Sequence, residues 1–244
     1  MKIANGVEML EISTNAMGIP SIVNPTLICD NDTVILVDAG YPGQLPEIRE
    51  AIEKVGVSLD KLNMVILTHQ DIDHIGSVSS ILKELPNSVK ILAHEEEKAY
   101  IEGDKLLIKT AQLEAKLNSL PEEMRSIYEK LKAGYQNCKV KVDKTLIDGE
   151  ELPYCGGITV IYTPGHTLGH ICLYLKQSKT LITGDVLVVK GGILAKASSF
   201  TNFDMDLSIK SLKKLTKYDI ETVICYHGGL YKDNVNQCIK ELAK

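Results

Sequence analysis

Short apolar segments rich in β-branched residues recur along the chain, and several of them end at a histidine or an aspartate. Segments of this length, bounded by turn residues, predict buried β-strands. They lie at 33–40, 63–69, 88–95, 158–166, 170–176, 179–185 and 220–229. His69, His166, Asp185 and His227 each stand near the carboxyl end of one of them. Because polar side chains at such ends often converge on one ligand, these four residues are the first candidates for a functional site.

Segments with helical periodicity lie between the strands. In PGQLPEIREAIEKVG the apolar residues recur every three or four positions, which is typical of a helix with one buried face. We predict helices at 42–56, 73–86, 105–134 and 233–244. The third of these is interrupted near Pro121 and is expected to form two helices. The 244 residues contain no short repeat and no low-complexity tract, so we predict a single domain over residues 1–244.

The net charge and the hydropathy of the chain indicate which kinds of partner it can bind. The net charge of −5 argues against nucleic acid, because phosphate binding requires a basic surface. No apolar run approaches the ~18 residues of a membrane span, and MKIANGVEMLEIS lacks the unbroken apolar core of a signal peptide. The six cysteines are scattered without a CxxC pair, which is typical of reduced thiols. We therefore expect a cytoplasmic protein with a small-molecule substrate and no membrane partner.

The segment VILTHQDIDHIGS, residues 65–77, contains the densest group of chemically active side chains. His69 and Asp71 are two positions apart, so in an extended loop both can point at one metal ion. Asp73 and His74 follow as the chain turns into a helix and can point at a second. Imidazole and carboxylate ligands suit Zn²⁺, Fe²⁺ or Mn²⁺. The alternative is a solvated helix start, with Asp73 as the cap and the histidines incidental.

Three later motifs complete an ordered set: TPGHTLGH with His166, TGDVL with Asp185 and CYHGG with His227. In this order the residues resemble the metallo-β-lactamase superfamily, in which an HxHxDH motif followed by His, Asp and His holds two metal ions. The resemblance extends from about Ile22 to His227. It implies an α/β (α+β) fold, a four-layer αββα sandwich with the metals at one edge between the sheets. Helices around 95–136 would then be an insertion.

The resemblance also implies a role for each motif residue. Site one would consist of His69, Asp71 and His166, and site two of Asp73, His74 and His227. Asp185 would bridge the two metals, with a hydroxide between them. Asp38, in TVILVDAG, corresponds to an aspartate that supports the site from behind the ligands, and we expect His170 to play a similar supporting part. Asp73 is also the candidate for catalytic proton handling.

Asp71 departs from the family pattern, which usually has histidine at this position. The extra carboxylate neutralises one more positive charge, so Fe or Mn become alternatives to Zn, the metal we otherwise expect. Flavodiiron proteins of the same superfamily have a glutamate here and hold a di-iron centre. The other alternative is that Asp71 only supports the ligands and that site one is incomplete.

The implied function is a metal-dependent hydrolase, in which a metal-bridging hydroxide attacks a small ester, lactone, thioester or amide. The alternatives are a nuclease or phosphodiesterase, and a di-iron redox or metal- and ligand-binding protein of the same fold. We predict that Tyr41, Lys190, Phe200 and Phe203 contact the substrate. The helices around 95–136 are candidates for a lid or a homodimer contact, with a solvated helical pair as the alternative.

Overall fold

The structure is a computed structural model that describes residues 1–16, 19–86 and 88–244. Its strands, numbered in chain order, are β1 Lys2–Ala4, β2 Val7–Met9, β3 Ile12–Ala16, β4 Ile19–Val23, β5 Thr26–Cys29, β6 Val34–Val37, β7 Met64–Leu67, β8 Lys90–His94, β9 Lys144–Leu146, β10 Glu151–Leu152, β11 Ile158–Tyr162, β12 Ile171–Leu175, β13 Thr180–Ile182, β14 Leu187–Lys190, β15 Ile193–Lys196, β16 Thr222–Cys225 and β17 Gly229–Tyr231. The α-helices are α1 Leu45–Lys54, α2 Ile72–Ile75, α3 Val78–Glu84, α4 Glu95–Ile101, α5 Ile108–Ala115, α6 Glu122–Gln136, α7 Met205–Leu215 and α8 Val235–Leu242. Short 3₁₀ turns occupy Leu59–Lys61 and Leu117–Ser119.

Two mixed sheets form the centre of the fold. The first sheet has the strand order β1-β2-β5-β6-β7-β8-β9, and its strands from β6 to β9 run parallel. The second has the order β10-β11-β12-β13-β16-β17, with β13 and β16 parallel. Two hairpins, β3-β4 and β14-β15, stand apart from both sheets. Because the carboxyl ends of parallel strands lie at the same edge of a sheet, the loops after β6 and β7 share one edge of the first sheet, and those after β13 and β16 share one edge of the second.

The strand residues alternate between two apolar layers, which defines the four-layer architecture. In β6, Ile35 and Val37 pack in a cluster that also contains side chains of the second sheet, while Leu36 packs with the helices on the other face. In β16 the same alternation places Ile224 between the sheets and Val223 against α7 and α8. A period of two is what a strand buried on both faces requires. The αββα sandwich implied by the resemblance is confirmed.

Two details of the predicted elements are wrong. The helix expected at 73–86 is divided into α2 and α3, because the N–H groups of Gly76 and Ser77 bond to the carbonyls of Gly40 and Ala39. A Cβ at Gly76 would lie 2.3 Å from the backbone of Tyr41, so this close approach requires glycine. The segment predicted as one strand at 220–229 contains β16 and the first residue of a further strand, β17.

The predicted insertion lies between β8 and β9 and contains α4, α5 and α6. Its second part is divided near Pro121 into two helices, as predicted, because Pro121 precedes α6 at the N-cap position. None of the helices in the described ranges combines the length and apolar character that a transmembrane span needs.

Candidate metal centre

The loop after β7 delivers four of the predicted ligands. His69 and Asp71 follow the strand, Asp71 with an extended backbone, and Asp73 and His74 lie on the single turn of α2. The His69 Nε2 atom is 3.2 Å from Asp71 Oδ2. The Nε2 atom of His74 is 3.8 Å from Asp73 Oδ2. Asp71 occupies the N-cap position of α2, but its side chain makes no capping hydrogen bond, so it is free to serve another function.

The second sheet supplies the other three residues from the loops after β11, β13 and β16. Asp185 Oδ2 lies 3.4 Å from His166 Nε2 and 3.4 Å from His227 Nε2. Its Oδ1 is 3.3 Å from His74 Nε2. Asp185 therefore lies between the other residues, at the position that a bridging ligand would need.

The seven side chains form two groups, within each of which the potential ligand atoms lie within 4.8 Å of one another. One group contains His69, Asp71, His166 and Asp185, and the other contains Asp73, His74 and His227. The division matches the predicted site one and site two, with Asp185 placed beside the first and in reach of the second. All seven predicted residues are thus brought together at one edge of the sandwich.

The donor set fits divalent metal ions. Among the described residues, the buried atoms His69 Nε2, His74 Nε2 and Asp185 Oδ1 lie close to other ligand atoms but make no contact with hydrogen-bond geometry. A buried polar atom without a partner is costly, so groups that converge unpaired on a common space are suited to coordinate a cation. Imidazole nitrogens and carboxylate oxygens are the usual ligands of Zn²⁺.

Asp38 holds site two from behind, as the resemblance implies. Its Oδ2 atom is 2.8 Å from His74 Nδ1, and its two oxygens accept hydrogen bonds of 2.8 Å from the amide and hydroxyl of Thr68. The Nδ1 proton of His74 therefore donates to Asp38, which directs Nε2 towards the centre. Asp38 has a left-handed backbone with φ of 61°, unusual for a residue other than glycine, and this turn directs its carboxylate at His74.

Tyr226 is a second support of site two that sequence reasoning missed. Its ring packs against that of His74, with centroids 3.8 Å apart and the planes tilted by 33°. Its hydroxyl donates to the carbonyl oxygen of Asp73 and accepts a 3.2 Å hydrogen bond from the amide of Gly40. The signal was its position immediately before His227 at a strand end.

His170 supports the bridging position. Its Nε2 atom accepts a 3.0 Å hydrogen bond from the amide of Asp185, so the ring proton lies on Nδ1, 2.8 Å from the Thr163 hydroxyl. Burial holds the pKa of His170 well below its usual range, which keeps the ring neutral. Gly184 precedes Asp185 with φ of +48°, and a Cβ there would lie 2.6 Å from His170 Nε2. The glycine of the TGD motif is therefore required for this packing.

Lys109 enters site one, and sequence reasoning did not find it. Its ammonium group donates to Asp71 Oδ2 and lies 3.0 Å from His166 Nε2. Burial alone would raise the pKa of Asp71, but Lys109 and His69 hold it well below its usual range. In the sequence, Lys109 is one of many lysines in an amphipathic helical segment, and such residues usually face solvent.

Glu97 connects the two loops that carry site one. One carboxylate oxygen accepts from the amide and side chain of Gln70, both at 2.9 Å, and the other accepts from the hydroxyl of Thr167 and the amide of Gly169. Gln70 lies between two site-one residues, and Thr167 follows a third. Burial raises the pKa of Glu97 to about 7 despite these hydrogen bonds. Within EEE at the start of α4 no pattern distinguished this glutamate from its neighbours.

The buried histidines differ in charge state because their neighbours differ. Burial and the nearby His74 lower the pKa of His69 to about 4. Burial also disfavours the charged form of His227, yet Asp185 and Asp73 raise its pKa to about 10. His74 responds in the same direction, because Asp38 and Asp185 outweigh burial and raise its pKa well above its usual range. Without bound metal, the surroundings of His74 and His227 in site two therefore favour the positively charged ring, whereas those of His69 in site one favour the neutral ring.

A cleft of about 950 Å³ opens onto the centre and is lined by Asp71, Asp73, Asp185 and His227. Two predicted substrate contacts, Tyr41 and Lys190, also line it. Its remaining wall comes from the β3-β4 and β14-β15 hairpins, from Lys109 and from the segment at 197–201.

The prediction that Phe200 and Phe203 line this pocket is wrong. Phe200 is 98% exposed, Phe203 is 45% exposed, and neither lines the cleft. The cause is a turn in which the amide of Thr201 bonds to the carbonyl of Ser198. This turn presents Ser198 and Thr201 to the cleft and leaves Phe200 in solvent.

Comparison with known proteins gives a consistent result. The sequence profile of the metallo-beta-lactamase superfamily matches residues 18–227. A hydroxyacylglutathione hydrolase of Buchnera aphidicola subsp. Schizaphis graminum is 30% identical over 208 residues, which cover 85% of this chain and 62% of that protein. The chain thus spans less than two thirds of that relative. The probable metallo-hydrolase YflN of Bacillus subtilis is 27% identical over 207 residues, or 80% of this chain and 75% of YflN.

A solved structure shares the whole architecture. The metallo-beta-lactamase family protein TTHA1429 from Thermus thermophilus superposes with a TM-score of 0.76 at 23% sequence identity. The superposition covers 98% of this chain and 79% of that one. At this identity the similarity shows the fold alone.

Proposed function

Because the chain belongs to the metallo-β-lactamase superfamily, we propose that it is a metal-dependent hydrolase of small esters, lactones, thioesters or amides. The observation that carries the proposal is the pair of ligand groups, each within 4.8 Å, that converge beside an open cleft. Relatives of the chain carry the names hydroxyacylglutathione hydrolase and probable metallo-hydrolase. These names support hydrolysis as the reaction class.

Each residue of the centre has a defined part in this proposal. His69, Asp71 and His166 would hold one metal, Asp73, His74 and His227 the other, and Asp185 would contact both. Divalent metals at these positions would lower the pKa of a water molecule to near neutrality and polarise a substrate carbonyl. Asp73 would also handle a proton beside the substrate; its carboxylate lies 3.2 Å from His227 Nε2 and lines the cleft, which supports this part.

The cleft sets where a substrate would lie. Tyr41 and Lys190 line its wall beside the acidic ligands, with Val188 and Val189 between the polar groups. Burial and the nearby Asp73 raise the pKa of Tyr41, so its hydroxyl stays protonated and able to donate. A donor beside a carbonyl carbon under attack would stabilise the negative charge that develops on its oxygen.

We propose Zn²⁺ as the metal, because the set of imidazole and carboxylate ligands suits it. Asp71 keeps iron and manganese as the alternatives. Metal analysis of protein purified without added metal, beside an Asp71→His variant, distinguishes them: a shift from iron or manganese towards zinc in the variant would favour the alternatives.

The test is a panel of small lactones, thioesters, carboxylic esters and amides, assayed with zinc-loaded protein. We expect turnover of at least one class and its loss in His69→Ala. His94→Ala is a matched control, because His94 is also buried but bonds to the N-terminus of α4 and stacks on Tyr162 away from the ligand groups. Equal rates for wild type and His69→Ala, or no turnover on any class, would contradict the proposal.

Phosphodiester hydrolysis is the second candidate, since Lys109 and Lys190 both line the cleft and would attract a phosphate. Bis(p-nitrophenyl) phosphate belongs in the same panel. If it is hydrolysed much faster than every carboxylic substrate, the phosphodiesterase becomes the leading function.

A further inference from the structure

The cation inside site one is the feature that the proposed function does not use. Lys109 lies within hydrogen-bond distance of Asp71 Oδ2 and His166 Nε2, which are the atoms that these two residues would offer to a metal. An imidazole nitrogen has one lone pair, so His166 Nε2 cannot serve a metal and an ammonium group together. The two cations therefore compete for the same position.

The placement of Lys109 is built into the fold. Its neighbours in α5, Ile108 and Thr110, are 7% and 2% exposed, so this end of the helix is packed. The amide of Ile108 donates a 2.8 Å hydrogen bond to the side chain of Gln70, which lies between His69 and Asp71. The loop that carries two site-one residues thus fixes the start of the helix that delivers the lysine.

Site two has no such internal cation. Its residues Asp73, His74 and His227 contact one another, Asp185, Asp38 and Tyr226, and within the described ranges no lysine or arginine pairs with Asp73 or Asp185. The side chain of Lys109 is 36% exposed and lines the cleft, so it can leave site one by rotating into open space.

We propose that Lys109 is a cation supplied by the chain that competes with a metal ion for site one, so that site two fills first and site one binds its metal more weakly. The proposal rests on the proposed function, since it takes both groups as metal sites. It assigns to Lys109 the control of how many metals the protein holds at a given metal concentration. Loading of site one would require Lys109 to move into the cleft.

Zinc titration of metal-free protein, by calorimetry and by competition with a chromophoric chelator, tests the proposal. For wild type we expect one tight and one weaker equivalent. In Lys109→Met the weaker equivalent should tighten by roughly 10- to 100-fold, because a charge-assisted competitor has been removed. Lys116→Met is the matched control, since Lys116 is exposed at the C-terminal end of the same helix, and it should titrate as wild type.

A measurement on the wild-type protein covers the case in which Lys109→Met fails to fold. Acylation of lysines with acetic anhydride, read by peptide mass spectrometry, reports whether the Lys109 ammonium is engaged. We expect Lys109 to be protected with zero or one zinc equivalent and to become reactive with two, while Lys116 reacts throughout. Unchanged Lys109 reactivity between one and two equivalents would overturn the proposal.

The outcomes separate this proposal from the function on which it rests. Two zinc ions bound with the same affinities in wild type and Lys109→Met would overturn the role of Lys109 and leave the metallohydrolase intact. Absence of zinc binding in both proteins would overturn the proposed metal sites, and with them the proposed competition between Lys109 and a metal ion.

Discussion

The two halves of the metal centre are built from the same residue types but are organised differently. In site two, Asp38 fixes the ring of His74 by a 2.8 Å contact, and the ring of Tyr226 packs against it. In site one, Lys109 lies against Asp71 and His166, and within the described residues His166 Nδ1 has no partner. If both groups bind metal as proposed, site two is preorganised for an external cation, while site one is arranged around a cation that the chain provides. Similar ligands in one cleft can therefore differ in affinity through the groups behind them.

Replacing Asp185, the residue shared by the two sites, should have the largest effect, because it should weaken metal binding at both sites. In Asp185→Asn we expect both zinc equivalents to weaken and hydrolysis to fall by roughly 10³-fold, because both metals lose a charged ligand. Calorimetry and steady-state rates measure this. Asp219→Asn is the control, because Asp219 pairs with Lys179 on the surface. A loss confined to one equivalent would show that Asp185 does not bridge.

Removing the support of site two should reverse the order of the sites. Asp38→Asn places an amide against His74 Nδ1 and should weaken the tight zinc equivalent by about 10- to 100-fold. The weaker equivalent should change little, since Asp38 contacts neither Asp71 nor His166 in the structure. Zinc competition titration gives both constants. Equal weakening of both equivalents would mean that Asp38 maintains the whole loop and not site two in particular.

The carboxylate behind site one should give the protein a measurable pH dependence. The pKa of Glu97 is about 7 in the folded protein, above its ordinary value, so its contribution is complete below pH ~4.5 and is lost as the pH rises through 7. We expect the free energy of unfolding of metal-free protein to fall by about 2–3 kcal/mol over that interval. Urea unfolding of wild type and Glu97→Gln measures it. If the two proteins show the same pH dependence, Glu97 is not the group that titrates.

The smallest effect should come from the hydroxyl that supports site two. Tyr226→Phe keeps the ring on His74 but leaves the buried amide of Gly40 without its partner. We expect a loss of about 1–2 kcal/mol in the free energy of unfolding, measured in urea, and little change in zinc affinity. Tyr174→Phe, at a hydroxyl bonded to the carbonyl of Asp219, is the control for loss of a tyrosine hydrogen bond outside the centre. A large loss of zinc affinity in Tyr226→Phe would instead make the hydroxyl the main organiser of Asp73.

The sequence was sufficient to identify residues whose chemistry is local to a motif. His69, Asp71, Asp73 and His74 converge because a strand end and a helix start impose their directions. The apolar segments likewise predicted buried strands, and the alternation observed in β6 and β16 follows from burial on both faces, but the sandwich itself was predicted from the resemblance to the family.

Residues whose role depends on distant contacts could not be predicted. Lys109 reaches site one only because Ile108 bonds to Gln70, which is 38 positions away in the chain. Glu97 is the buried member of EEE because Gly169 and Thr167 approach it from the loop between β11 and β12. For Phe200 the prediction assigned a contact that the fold does not make. Its apolar character suggested a pocket, but the turn at 198–201 places its side chain in solvent.

The origin of the ligands in both sheets has a consequence for the stability of the whole protein. Each proposed site takes residues from the segment after β7 in the first sheet and from loops of the second, so unfolding would separate the ligands and release a bound metal. By mass action, a free metal concentration about 100 times the dissociation constant would stabilise the folded chain by about 2.7 kcal/mol. Apparent melting temperatures would then report the free metal concentration of the buffer as much as the packing of the core. A chelator would therefore lower the free energy of unfolding by removing the metal, without changing the apolar contacts of the core.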